Sequence, residues 1–334
     1  MRRIVMRELS GKRILLIALS EYSDGIIKEM SDMGADVDYI CDKPNNGVMC
    51  KTLGRMKFEP YMNVIRSYYT KCIRGIAHKQ YDYILSIRGE YTPVESLDEL
   101  REAFPSAKFI LYMWDSILNN RGIQNTWSHY DKVYTFDRID YLAHKDKIHF
   151  LPLFYYDSFL PKINETYKYD IAFIGTGHDD RVQIIKGIEE QCKKYGVKMY
   201  TYIFLPHHLI YVRNKLINPF YKNVRKSDIH FKLKPTADAY KIYAQSRCVV
   251  DIQSKTQNGM TMRTIEMIGL RKKLITTNKD IVNYDFYNPN NVLVVDRKNF
   301  KIDPYFINSP YRELKDEIYQ KYSLRGWLSQ LFEM

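Results

Sequence analysis

Arg263 and Glu266 stand three positions apart in the segment Asp251–Asn278. There an apolar strand pattern runs into a loop holding Asn258 and Gly259, then a helical stretch Met262–Leu270 with Gly269 near its end, then a second apolar run, Lys273–Thr277. Residues three apart share one helix face. On a ligand, that guanidinium would neutralise a diphosphate, the carboxylate would accept paired hydrogen bonds from ribose hydroxyls, and the helix N-terminus would add its dipole. The same spacing also makes an ordinary intrahelical ion pair, worth about 0.2–0.5 kcal/mol.

A second phosphate-compatible turn is Gly175-Thr176-Gly177-His178-Asp179-Asp180-Arg181, which follows a strand pattern and opens a helix. Exposed N–H groups and the helix dipole favour an anion at such a place. It matches neither common nucleotide fingerprint: the third glycine of G-x-G-x-x-G would fall at Asp180, and no Gly-Lys-Ser/Thr is present. Arg181 reads as a diphosphate contact or as the partner of Asp179 or Asp180. In the first half, Asp115 lies just past a strand pattern, where open α/β sheets bind ligands. It reads as a general base toward a hydroxyl or as a helix N-cap. Glu90 and Glu21 sit at equivalent strand ends and are rival bases.

Other chemistries find no support. Asp36-Val37-Asp38 resembles a D-x-D metal site but lies within a strand pattern, where pleating alone puts both carboxylates on one face. His207 and His208 are adjacent and point apart, and neither H-E-x-x-H nor G-x-S-x-G occurs. No metal and no cofactor is therefore expected. The five cysteines, Cys41, Cys50, Cys72, Cys192 and Cys248, contain no C-x-x-C pair, which fits a reducing cytoplasm.

The elements that would position these residues alternate between strand and helix. Lys12–Leu19, Ala35–Cys41, Tyr83–Ile87, Lys108–Trp114, Val133–Phe136 and His149–Phe154 read as strands, with helices between them that include Arg55–Gln80 and Pro93–Phe104. The order starts again at Tyr169–Gly175, continues through a helix Arg181–Tyr195 and a strand Val197–Phe204, and closes with a C-terminal helix over Tyr311–Phe332. Such alternation specifies α/β architecture with parallel sheets. At 334 residues, two Rossmann-like domains are expected, 1–160 and 161–334, with the final helix able to cross back to the first.

The formal net charge is +12, with +6 between Leu205 and Lys234 and +4 in the first thirteen residues. Such patches attract polyanions. Basic residues alternate there with Leu209, Ile210, Leu216, Ile217, Phe220 and Tyr221, as in a segment lying on lipid headgroups, or as in an insertion packed on its own domain. No apolar run approaches the roughly 20 residues needed to span a bilayer, so a soluble chain that is not exported is expected. The 29 tyrosines spread along the whole chain, so a nucleic-acid partner is disfavoured.

The Asp251–Asn278 segment, set behind a second Rossmann-like start, resembles the nucleotide-sugar motif of GT-B glycosyltransferases, particularly family 4 and bacterial lipopolysaccharide, spore-coat or capsule enzymes. In that motif two glutamates stand eight positions apart with glycine after the first. Here Glu266 matches the second, Gly259 the glycine, and Asn258 occupies the place of the first. The resemblance covers about 170–330, and the first half only in its strand–helix order. It implies a GT-B fold and a nucleotide diphosphate sugar bound by Gly175, Gly177, Arg181, Asn258, Gly259, Arg263, Glu266 and Asn278. It implies transfer, without a metal, to a saccharide or lipid-linked saccharide, by a cytoplasmic protein held at the inner membrane face through its basic patches. Non-catalytic readings, a polyanion-binding protein or a degenerate scaffold in polysaccharide assembly, remain alternatives.

Overall fold

The computed structural model describes residues 8–45, 47–157, 166–254 and 259–334. Runs such as Ile14–Ala18 and Phe109–Met113 are apolar at every position and buried along their length, so their strands must be covered on both faces. They form a first sheet from β1 (Arg13–Ala18), β2 (Asp36–Cys41), β3 (Tyr83–Ile87), β4 (Lys108–Met113), β5 (Lys132–Thr135) and β6 (His149–Phe150), in the order β2-β1-β3-β4-β5-β6. A second sheet contains β7 (Tyr169–Thr176), β8 (Met199–Phe204), β9 (Ile229–His230), β10 (Ser246–Asp251), β11 (Lys273–Thr276) and β12 (Val292–Val294), in the order β12-β11-β10-β7-β8-β9. Every pairing is parallel.

The order reverses between β1 and β3 in the first sheet and between β7 and β10 in the second. A crevice opens at the carboxyl ends of strands at such reversals. The helices of the first unit are α1 (Ser20–Asp32), α2 (Val48–Arg55), α3 (Glu59–Ile76), α4 (Val94–Ala103) and α5 (Arg138–Ala143); the rest are α6 (Arg181–Tyr195), α7 (His208–Ile217), α8 (Thr236–Ala244), α9 (Met262–Gly269), α10 (Pro304–Asn308), α11 (Asp316–Lys321) and α12 (Leu324–Leu331).

The chain divides into two compact units, Met1–Pro152 with Leu324–Met334, and Leu153–Ser323. In the second, α6 buries Val182, Ile185, Ile188 and Cys192 against the sheet, each aliphatic side chain contributing about 1.5–3 kcal/mol. It ends at Gly196, whose φ of +66° allows the Val197 N–H to reach back to Cys192 O at 2.8 Å. In the first, Trp327 and Leu328 of α12 are buried, and Trp327 meets the Tyr112 ring edge-on at 4.8 Å.

One expected helix begins later and ends earlier than its pattern, and another is divided. The Arg55–Gln80 stretch belongs mainly to α3, and Lys57, at φ +50°, separates it from α2. Pro60 falls in the first turn of α3, where its missing N–H is harmless; within a continuing α2 it would break the ladder. The C-terminal stretch becomes α11 and α12, parted at Ser323, which forms a parallel bridge with Tyr155. The Tyr155 N–H donates to Tyr322 O at 2.9 Å there, a bond a continuous helix would not offer.

Candidate functional site

At the reversal of the second sheet, Asp251 ends β10 with its carboxylate 1% exposed. Oδ2 accepts the hydroxyls of Thr261, at 2.6 Å, and Thr264, at 2.8 Å. Thr261 in turn caps α9 by accepting the Thr264 N–H at 3.2 Å. One buried carboxylate thus fixes the start of the helix that carries Arg263 and Glu266.

Arg263 points back across the strand ends. Its Nη1 pairs with Asp251 Oδ1 at 3.4 Å, Nε donates to Tyr243 Oη at 3.2 Å, Nη2 donates to Ile174 O, and the guanidinium lies 5.6 Å from the Phe173 ring centre. Three of its five N–H donors are so engaged. Burial opposes its charge, but Tyr243 and Asp251 outweigh that and raise its pKa above the ordinary arginine value. No ion pair joins Arg263 to Glu266, so the intrahelical pair allowed by their spacing does not form. Gly175 leaves room for this arrangement: a Cβ there would lie 3.3 Å from Arg263 Nη2 and 3.0 Å from Phe173.

Arg181 opens α6 and is 8% exposed. Nη1 donates to Thr176 O at 3.1 Å and to Thr176 Oγ1 at 3.2 Å, while Nε is buried without a hydrogen-bond partner. Neither expected carboxylate reaches it. Asp180 holds Arg297 through contacts of 2.9–3.1 Å, and Asp179 lies 3.5 Å from His178. Among the described residues no carboxylate is therefore in ion-pair contact with Arg181, and Asp251 and Asp179 favour its charge only from farther off. Burial, with Arg263 and Arg297 nearby, pushes its pKa down to about 10. Burial and Arg181 also lower the pKa of His178.

Glu266 is half-buried, and burial raises its pKa, countered by a hydrogen bond from Tyr240 and by Arg263. Asn278 caps the turn Lys279–Asn283 by accepting the Asp280 N–H at 3.0 Å, and its Nδ2 is buried without a partner. Gly177 serves packing. Its N–H donates to Phe204 O at 2.9 Å, its carbonyl accepts the Tyr221 hydroxyl, and a Cβ would lie 2.7 Å from Ile203. Gly259 is buried, and Asn258 lies outside the described residues. Arg263 and Arg181 are thus brought together at one reversal, with Glu266 one turn along α9. Asp251, Tyr243 and Arg297 complete the arrangement, and sequence reasoning gave none of them a role.

At the reversal of the first sheet, Arg88 and Gly89 follow β3 with φ of +77° and +63°. At Arg88, which unlike glycine carries a Cβ, that conformation costs about 1–2 kcal/mol. It aims Nη2 at both candidate bases, 2.9 Å from Glu90 Oε2 and 3.3 Å from Asp115 Oδ2. Asn119 Nδ2 donates to the other oxygen of Asp115 at 3.0 Å. A cavity of about 140 Å³ opens here, lined by Ala18, Leu19, Ile87, Arg88, Trp114 and Asp115. The Asp115 side chain is 32% exposed and that of Glu90 8%, so Asp115 is the more accessible of the two. Glu21 lies in the first turn of α1, and its side chain is outside the description. No group of three or more His, Cys, Asp or Glu side chains suited to a metal occurs among the described residues.

Two Rossmann-like units, each a six-stranded parallel sheet, give the chain the GT-B fold. Solved structures similar to the chain include the apo form of the lipopolysaccharide outer core galactosyltransferase WaaB. It is 12% identical with a TM-score of 0.54, over 96% of this chain and 99% of that one. The Anabaena protein HepE in complex with UDP and glucose is 11% identical with a TM-score of 0.54, over 96% of both chains. The N-terminal domain of Candida albicans trehalose-6-phosphate phosphatase is 10% identical with a TM-score of 0.58, over 96% of both. No protein-family model and no curated protein sequence matches the chain. At these identities the likeness is one of fold.

Proposed function

We propose that this protein is a glycosyltransferase that takes a sugar from a nucleotide diphosphate sugar held in its second unit. The observation that carries the reading is Arg181: a buried guanidinium with no carboxylate in ion-pair contact, its charge disfavoured by burial, Arg263 and Arg297 more than Asp251 and Asp179 offset, is relieved by an anion brought to the site. A diphosphate at the N-terminus of α6 is such an anion. Arg181 and the two remaining N–H donors of Arg263 would stabilise the leaving diphosphate as the bond from the sugar to its phosphate oxygen breaks, taking the part of a metal. Glu266 would accept the ribose hydroxyls. Asn258, Gly259 and Asn278 would border the donor, with Gly175 and Gly177 keeping the strand–helix turn close-packed. HepE, bound to UDP and glucose, supports a donor of this class for the fold.

The acceptor would be a hydroxyl of a saccharide or lipid-linked saccharide, a class consistent with the lipopolysaccharide substrate named for WaaB. Asp115 would take its proton as the new bond to the sugar forms, with Glu90 and Glu21 as alternative bases. A lipid-linked acceptor would set the reaction at the inner membrane face.

Release of nucleoside diphosphate from a panel of nucleotide diphosphate sugars, with and without saccharide acceptors, tests the reading. Turnover of one donor that is lost in Glu266→Ala supports it. Equal release by wild type and Glu266→Ala would point instead to a structural role.

A further inference from the structure

Helix α7 carries apolar side chains on two sides. Its inner side packs Ile210 and Tyr211 on the core of the second unit and is fastened there by polar bonds: Tyr211 Oη donates to Val224 O at 3.2 Å, and Lys215 Nζ donates to the carbonyls of Tyr221, Lys222 and Val224 at 2.7–3.2 Å. A second apolar side faces out. Leu209, Val212 and Leu216 follow one stripe at i, i+3 and i+7, and are 70%, 50% and 79% exposed, with Ile217 beside them at 65%. Helices of soluble proteins normally point such a stripe at the core.

The border of the stripe is basic. Arg213 emerges between Leu209 and Leu216. The bonds of Lys215 hold residues 221–224 against the C-terminal half of α7, which brings exposed Lys222 alongside. His208 stacks on Phe231 at 3.7 Å and so brings exposed Lys232 and Leu233 to the other end.

We propose that α7 docks on an anionic lipid bilayer, its leucine stripe entering the interfacial layer while Arg213, Lys222 and Lys232 meet the headgroups. Charge complementarity selects this occupant. A second copy would bring like charges face to face. The helix also offers a patch only about 15 by 10 Å, far below the roughly 800 Å² per partner of a stable interface. The inference is independent of the donor site, so its failure would leave the proposed transferase activity untouched.

Co-sedimentation of the full chain with two kinds of vesicle tests it, one of phosphatidylcholine alone and one of equal parts phosphatidylcholine and phosphatidylglycerol. Binding is expected to the anionic vesicles only, and to weaken as salt rises. It should fall at least about tenfold in the double variant Leu209→Ser, Leu216→Ser and about fivefold in Arg213→Gln. All three side chains are exposed, so unchanged thermal unfolding of the variants certifies that they fold. The proposal is overturned by absence of binding to either vesicle or by equal binding of the leucine variant, which would mean charge alone. It is also overturned by self-association in sedimentation equilibrium that the leucine variant abolishes, which would make the partner a second copy.

Discussion

Replacing Arg181 by methionine separates the stability of the second unit from its capacity to hold an anion. At neutral pH the arginine is protonated in both folded and unfolded chains, so the full penalty of its depressed pKa, from 12.5 to about 10, is present there. At about 1.4 kcal/mol per tenfold change in proton affinity, that is about 3 kcal/mol. Methionine removes the charge and keeps most of the apolar volume, but it forfeits the bonds to the carbonyl and hydroxyl of Thr176, worth about 1–2 kcal/mol together. A net gain of about 1–2 kcal/mol should raise the melting temperature of the empty protein by about 2–8 °C. The same variant should weaken nucleoside diphosphate binding by about tenfold to a hundredfold, the worth of a charge-assisted hydrogen bond. Arg263→Met, a neighbouring change of the same kind, should act oppositely on stability. It strands the buried Asp251 carboxylate, a loss of about 3–5 kcal/mol. Differential scanning fluorimetry and calorimetry of both variants read all of these values. If Arg181→Met destabilises the protein as much as Arg263→Met, or leaves diphosphate affinity unchanged, Arg181 is a structural residue and the reasoning fails.

Three further outcomes follow from the same physics. Burial raises the Glu266 pKa, so its carboxylate protonates at higher pH than an ordinary glutamate; nucleotide affinity should decline on acidification from above pH 4.5, and Glu266→Gln should bind weakly with a flat profile over that range. Burial also pushes Asp140 up to about 6, so the stability it contributes is present below about pH 4 and lost as pH rises through 6. Asp140→Asn can still accept the Ile117 N–H now held at 2.7 Å, and should raise the melting temperature at pH 8 by about 2–4 °C while changing it little at pH 4. An alanine at Gly177 would put its Cβ 2.7 Å from Ile203, 2.9 Å from Tyr221 Oη and 3.0 Å from Val182, all buried; urea titration should show a loss of about 1–3 kcal/mol.

What could be read from the sequence is what local pattern encodes. Val182, Ile185, Ile188 and Cys192 recur at helical spacing before Gly196, and α6 has the expected bounds, Arg181–Tyr195. The apolar runs at residues 12–19 and 169–175 became β1 and β7, because fully buried parallel strands need no alternation. Asp36 and Asp38 do lie in a strand, where they pair with Arg13 and Lys79. The break at Ser323 carries no such pattern: it depends on Tyr155, more than 160 positions away in the chain. Distance also hid the charges around the candidate site. Arg297 and Asp180 are 117 positions apart, so the removal of Asp180 from Arg181 could not be read locally. Asp251 stood in plain view at the end of a strand pattern, but its grip on Thr261, Thr264 and Arg263 becomes apparent only once α9 folds back over β10.

The central claim is that the second unit binds a nucleoside diphosphate through Arg181, Arg263 and Glu266. Its most direct test is isothermal titration of the wild type with UDP, GDP, CDP and dTDP, without metal and then with magnesium, repeated on Glu266→Ala. Saturable binding of one nucleotide without metal, lost in the variant, is the expected result. Binding of none of them by the folded protein, or binding that survives Glu266→Ala unchanged, would contradict it.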